Sequence, residues 1–315
     1  MRNLIFAFIL SLICQGAFGQ KDSIVGRDEL LFEKALLLQN LIDKELYLDD
    51  VIAENDTNVN TKESIVEIKE TIQEKAIELY QELIDSFPRS CLVPRALNNK
   101  GFTELSIKNI NAAKLSFQKI IESSADDMEN GGIGDGIMAE PFTNYKNRAS
   151  KILAEICIEE EKFKEAISYL DLTQKFPYRH FCGNEYAADR LNMCVLYAKC
   201  FVGLKDTSKA LKVLLPKLLD NDFADNSAVV YLTTEILLKK YSKDRLRTLY
   251  EKAFKSYKVK DIKREKSYAD KVYYIKFLGV NIEFNYWEFS TLLEEDEEIK
   301  IDKICKTSKF FDMLK

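Results

Sequence analysis

The chain carries one histidine, His180, in the stretch from Phe176 to Glu185, beside Tyr178, Arg179, Phe181 and Cys182. His180 and Cys182 could supply two metal ligands. Zinc takes four, or three with a water, and no other cysteine is closely spaced with them. The stretch reads as a structured turn between helical units, with Tyr178, Arg179 and His180 as a cluster that contacts a partner. The second candidate is Ser123 to Asn147, with glycines at 131, 132, 134 and 136. A phosphate cradle needs a strand before it and Gly-Lys-Ser/Thr after it, and neither is present. A calcium loop from Asp126 would need an oxygen ligand at Met128 and a carboxylate at Ile137. This stretch reads as a mobile loop over one end of a groove. No Gly-x-Ser-x-Gly elbow occurs, so no catalytic, cofactor or metal residue is assigned.

Composition narrows the class. At 315 residues, 46% hydrophobic and 31% charged, the chain can bury one long core or two modest ones. The formal charge of −5 offers no basic footprint for nucleic acid. Arg2, the apolar run Leu4 to Ile13 and the small residues of Ala17-Phe18-Gly19 read as a signal peptide over residues 1–19, cleaved before Gln20. A lipoprotein reading would use Cys14, but Ile13 stands where that processing wants a small residue. No run is long enough for a transmembrane span in the mature chain, so the protein is expected to be exported: periplasmic or secreted, soluble or peripheral at the envelope. Six cysteines remain after cleavage. Cys157, Cys194 and Cys200 fall at apolar helical positions, Cys91 and Cys182 at accessible ones, and no bridge is drawn.

The elements that must carry these loops are helical. Asp28 to Ala53 reads as a strongly apolar helix capped by Asp22 or Asp28, and Thr61 to Ser86 as a long second helix. From Ala76 to Ser123 the apolar stripe Ile77, Leu79, Tyr80, Leu83, Ile84 stops at Phe87-Pro88. A new helix opens at Pro94, and a third starts at Ala112-Ala113. Gly101 is followed twelve positions later by Ala113, Ala154 by Ala166, and Ala198 by Ala210. Each second helix then carries Phe117, Leu170 or Leu214 four positions on. Paired small residues let two helices cross closely, with the bulky residue filling the space where they diverge. Three such pairs imply a repeated unit.

These hairpins resemble tetratricopeptide repeats (TPR), with Gly101, Ala154 and Ala198 as the small residues of first helices and Ala113, Ala166 and Ala210 as the paired alanines. Ala76, Tyr80 and Pro88 resemble the second helix and closing proline of an earlier unit, and the phrase from Ala76 to Gly101 is similar to exported envelope members of that family. The resemblance covers roughly Glu63 to Lys255. Successive alanines lie 53 and 44 positions apart (113, 166, 210), so insertions interrupt the stack. A diverged unit at Val230–Phe254 keeps Tyr250 and Ala253 but has Leu246 where alanine is expected.

After Lys260 the pattern changes. Val280, Ile282, Phe284 and Tyr286 alternate, and Leu278-Gly279 suits a tight turn, so a β-hairpin is expected against the last helices, with a buried terminal helix as its rival. Glu294 to Glu298 reads as a solvated run, and Ile299 to Leu314 as a final amphipathic helix. The fold class expected is all-α, a right-handed array of antiparallel helix hairpins (a TPR-like α-solenoid) with a short C-terminal β-hairpin or helical cap. Its divisions are 1–19, 20–260 and 261–315.

The resemblance implies a non-catalytic scaffold holding a protein or peptide of the envelope or secreted fraction, without cofactor, on a concave groove. That groove would include Arg95, Asn98, Phe102, Arg148, Lys151, Glu155, Asn192, Val195 and Lys199. The basic members, Arg95, Arg148, Lys151 and Lys199, suit an acidic segment. Phe102 and Glu155 stand where a carboxylate clamp would want asparagine. A different class, a small-ligand-binding protein or hydrolase with a site near the 123–147 and 176–185 loops, would use His180, Tyr178 and nearby carboxylates. A third reading is a structural spacer.

Overall fold

A computed structural model describes residues 26–42, 46–48, 59–132, 139–220, 223–261, 271–284 and 296–315. The signal segment, Tyr286, and the end of the first helix expected up to Ala53 lie outside these. Among them the chain is mostly helical, with helices packed in adjacent pairs and one small sheet. It divides into two compact units, residues 1–96 and 97–315.

In the first unit, α1 (Arg27–Asn40) packs on the long α2 (Val59–Ser86). Phe32 meets Tyr80 with ring centroids 5.7 Å apart, Ala76 and Leu83 are fully buried, and the Tyr80 hydroxyl donates to Gln39 at 2.5 Å. Asp28 does not cap α1. It lies inside the first turn and accepts from Ser90 Oγ at 2.6 Å, while Glu29 reaches back to the Gly26 amide at 3.2 Å.

The second unit holds the repeated hairpins. α3 (Val93–Ser106), which begins in the first unit, pairs with α4 (Ile110–Glu122). Next come α5 (Tyr145–Glu159) with α6 (Phe163–Lys175), and α7 (Gly183–Gly203) with α8 (Thr207–Leu214). Three turns join them, and they share one geometry. Lys108, Glu161 and Lys205 take left-handed φ values of 61, 57 and 60°. The following amides, Asn109, Lys162 and Asp206, reach back to the carbonyls of Glu104, Cys157 and Phe201 at 2.8, 2.7 and 2.8 Å. This is the Schellman closure of a helix C-terminus. The residue making that bond is also the cap of the next helix: Asn109 accepts from the Ala112 amide and Asp206 from the Lys209 amide. One turn thus ends one helix and starts the next, which is why each small residue is followed by its partner at the same interval.

The five paired alanines are fully buried. Ala154 shares a core with Ala166, and Ala198 with Ala210. In the first hairpin the bulky residue behaves differently from expectation. Phe117 does not fill a gap beyond the crossing but lies directly on Gly101, where an added Cβ would come within 2.8 Å of its ring. Glycine there makes room for an aromatic ring.

None of the three left-handed positions is glycine, and a side chain there costs about 1 kcal/mol. Glu161→Gly is therefore expected to stabilise the chain by about that amount. A urea midpoint that falls in this variant would show that Glu161 makes a compensating contact.

The fourth hairpin, α9 (Ser227–Leu238) and α10 (Lys243–Lys255), closes through a turn without left-handed residues, and Leu246 is fully buried where alanine was expected. The reason follows in the chain. β1 (Lys258–Asp261), β2 (Lys271–Phe277) and β3 (Val280–Glu283) form an antiparallel sheet in the order β1-β2-β3. Leu278 and Gly279, at φ 48 and 86°, make the two-residue turn with both φ positive that suits the twist of a hairpin. Ile275, Phe277, Ile282 and Phe284 line the buried face, packed with Leu246, Tyr250 and Phe254 of α10. The sheet expected as a hairpin has this third strand because Lys-Val-Lys-Asp, exposed throughout, is an edge strand with no apolar alternation to reveal it. It spans the boundary expected at 260/261.

The last helix is broken in two, α11 (Glu297–Thr307) and α12 (Lys309–Met313), at Ser308, whose Oγ accepts from the Phe311 amide at 3.3 Å. Lys309 of α12 grips Asp225, just ahead of α9, and Ser227 donates to the same oxygen at 2.7 Å. Lys309 and then Ser227 hold the Asp225 carboxyl down at about 2, below its ordinary 3.8. A depressed carboxyl stabilises the folded chain fully above 3.8, and that contribution fades as pH falls toward about 2. An NMR titration of Asp225 should have its midpoint near 2 and return toward 3.8 in Lys309→Met. Equal midpoints would mean that the pair does not form in solution.

Candidate functional site

The site is built by the start of α5, the start of α7 and the two loops leading into them. Asp127 of the 123–147 loop accepts from the Lys146 and Asn147 amides at 2.8 and 3.0 Å, so it caps α5 from nearly twenty residues upstream. The base of that loop is closed by a bridge between Asn130 and Phe142. Gly132 passes so close that a Cβ would meet the Phe142 carbonyl oxygen at 2.2 Å, which excludes any side chain there. The loop expected to be mobile is hydrogen-bonded at its base; residues 133–138 are outside the described set.

Two asparagines then tie the second loop down. Asn144 exchanges hydrogen bonds with the backbone of Arg179, receiving at 2.9 Å and donating at 2.8 Å, and Asn147 donates to the Phe176 carbonyl at 2.7 Å. Both loops are thereby held at one end of α5.

Between them is a cavity of about 300 Å³. Glu140, Asn144, Asn147, Arg148 and Lys151 line it from the first loop and α5, Tyr178 from the second loop, and Glu185, Ala188, Asp189 and Asn192 from α7. Arg148 is held by Glu140 and by Asn98 Oδ1 at 3.3 Å. Lys151 pairs with Asp189, and its ammonium sits 4.7 Å above the Tyr178 ring. Burial, then the carboxylates of Glu140, Glu185 and Asp189, push the Tyr178 hydroxyl well up, with Arg148 opposing. The lining carries three carboxylates, Glu140, Glu185 and Asp189, and two cations, Arg148 and Lys151.

Several residues expected in the groove meet here. Arg148, Lys151, Asn192 and Tyr178 line the cavity, and Asn98, itself buried, supports Arg148. Arg148 and Lys151 are both paired with carboxylates, so these two do not offer an acidic segment a free positive charge. Glu155 and Lys199 lie farther along α5 and α7. Glu155 is open to solvent yet flanked by protein, and this desolvation raises its carboxyl despite Lys199 and Lys151. Val195, expected in the groove, is buried with Leu191 and Ala198 in a core that includes Val229 and Ile236 of α9. Phe102 is half-exposed with its ring edge-on to Phe117 at 5.5 Å. Arg95 belongs to the first unit, its guanidinium 5.0 Å above the Phe32 ring.

Of the loop cluster, Arg179 is exposed and held by its backbone, whereas His180 is buried. Its Nδ1 accepts from the Cys182 amide at 2.9 Å, which places the ring proton on Nε2. Nε2 is enclosed and without a partner among the described residues. The ring stacks on Tyr178 at 6.1 Å and so stiffens the loop behind the cavity. Cys157 and Cys200 are buried neighbours, and burial pushes the Cys200 thiol up to about 11, with Cys157 adding to the effect. Cys194 and Cys182 are half-buried and Cys91 is exposed. Among the described residues, no three His, Cys, Asp or Glu side chains gather as metal ligands.

No family model matches the chain, and no characterised protein matches it.

Sequence reasoning did not single out Glu140, Asn144, Asn147, Glu185 or Asp189. The one available signal was local: Glu185 and Asp189 lie four apart on one helix face with Asn192. Asp127→Ala removes the remote cap and is expected to cost about 1 kcal/mol and to loosen both loops. Faster amide exchange at Lys146, Asn147 and Arg179 is the measurement. Unchanged exchange there would leave Asp127 without this role.

Proposed function

We propose that the protein is a non-catalytic interaction scaffold, an exported TPR-like right-handed array of helix hairpins that holds an extended peptide or partner helix along the first helices of its units. The observation that carries this reading is the cavity at the start of α5 and α7, where two loops are pinned beside the first helices of consecutive hairpins. The three turns of identical geometry support a repeated unit. α7 packs on both α5 and α9, as first helices of stacked units would. Export rests on residues 1–19; among the described residues no helix is long and apolar enough to cross a membrane.

The size of the cavity favours one other reading, a small-ligand-binding protein using the same walls. Hydrolysis there would need a general base. His180, the residue expected to serve, has one ring nitrogen bonded to a backbone amide and the other enclosed.

Site-specific photo-crosslinking tests the scaffold. A photoreactive residue at Asn192, on the cavity wall, should trap peptide from a native envelope or secreted extract, while one at Lys252, exposed on α10, should not. Equal labelling from both positions, or none from Asn192, would overturn the reading.

A further inference from the structure

The walls of the cavity hold three carboxylates and two cations, and the ion pairs use all but one of them. Arg148 takes Glu140, Lys151 takes Asp189, and Glu185 makes no ion pair among the described residues. Asn147 Oδ1 also has no hydrogen-bond partner among the described residues, but it is enclosed and out of reach of a group in the cavity. The group left over in the cavity is therefore an acceptor. An incoming anion would have to displace Glu140 or Asp189 from its cation and would still face Glu185. A neutral donor would leave the carboxylate uncompensated.

We propose that the cavity receives a single cationic group, an alkylammonium or guanidinium, with Glu185 as its counter-ion. The inference deepens the scaffold reading and rests on it in one respect: the cation is then a lysine or arginine side chain of the bound partner. A volume of about 300 Å³ suits one such side chain and not a folded domain. Arg148 and Lys151 hold Glu140 and Asp189 in place as the walls, so two residues that look like an anion site from sequence are positioning residues for the opposite charge.

The test uses the full chain in two arms. An array of random peptides is screened with the protein, and the Nα-acetyl methylamides of arginine, lysine, glutamine and glutamate are titrated calorimetrically. Expected are retained peptides sharing a lysine or arginine, binding of the arginine or lysine amide only, and about tenfold weaker binding in Glu185→Gln. Glu122→Gln, exposed at the end of α4, should bind as the parent does, and circular dichroism confirms that both variants fold. Peptides retained without a basic position, glutamine or glutamate amides binding as well as lysine, or binding indifferent to Glu185→Gln would each overturn the inference while leaving a peptide scaffold intact. Arginine or lysine amide binding that depends on Glu185, with no peptide retained, would keep the cation site and overturn the scaffold in favour of a small cationic ligand. No binding in either arm would overturn both.

Discussion

Tyr250→Ala is expected to lower the stability of the second unit by about 3–5 kcal/mol, the cost of deleting a fully buried aromatic side chain. Tyr250 has no exposure, and its ring stands edge-on to Phe254, Phe277 and Phe310, with centroids 5.5, 5.3 and 5.2 Å away. These partners come from α10 itself, from β2 and from α12, so one side chain joins three parts of the chain. Removing it loses the transfer energy, the edge-to-face contacts and the filling of the centre at once. Urea unfolding should show an earlier transition, and hydrogen exchange should show the greatest loss of protection in β2, β3 and α12. Tyr250→Phe keeps the ring and should retain most of the stability. A loss in Tyr250→Ala below about 1 kcal/mol, at the level of an exposed site, would mean that the sheet and terminal helices do not pack on α10 as described.

Lys100→Met should be nearly as damaging, for an electrostatic reason. Lys100 donates to Glu104 Oε1 at 2.5 Å and to Ser116 Oγ at 3.1 Å, and Ser116 Oγ donates to Glu104 Oε2 at 2.6 Å, all three residues being buried. Replacing the lysine leaves a carboxylate enclosed with only a hydroxyl for company, a change that costs about 3–5 kcal/mol in such sites. The pair need not itself be stabilising, because each ion was stripped of water to form it. Lys100→Met with Glu104→Leu should therefore recover much of the loss. If the double variant is no better than the single one, the interior between α3 and α4 depends on the network's geometry rather than on its charge balance. Asn98, which braces Arg148, lies on the same helix. A measurable drop in ligand affinity in Lys100→Met, restored in the double variant, would connect this interior to the cavity.

The parts of the fold that were legible in the sequence are those set by neighbours along the chain. Gly101 and Ala113 announced a close helix crossing, and the equal spacing at Ala154 and Ala198 announced its repetition, because one turn geometry closes all three hairpins. Leu278-Gly279 with the alternation from Val280 to Phe284 announced the hairpin, since a two-residue turn and a two-residue side-chain period are local properties. Phe117 was read with the right size but the wrong place, because sequence shows that a ring is present and not which gap receives it.

What only the tertiary structure decided is which faces remain open and which charges meet. The resemblance to tetratricopeptide repeats put Val195 in a groove with Asn192 and Lys199, but it is buried in a core that includes Val229 and Ile236 of α9. Arg148 and Lys151 looked like unopposed cations because Glu140 and Asp189 come from a loop and from the next hairpin. Coulomb energy depends on distance in space, and the chain brings those carboxylates within reach only after Asp127, Asn144 and Asn147 have pinned the loops to α5. The residues alone determined a helical chain of repeated hairpins with a β-turn near its end. The assembled second unit determined that the recess beside α5 holds a carboxylate, Glu185, with no ion-pair partner among the described residues, because its neighbours Arg148 and Lys151 are taken by Glu140 and Asp189 only once separate stretches of chain have come together.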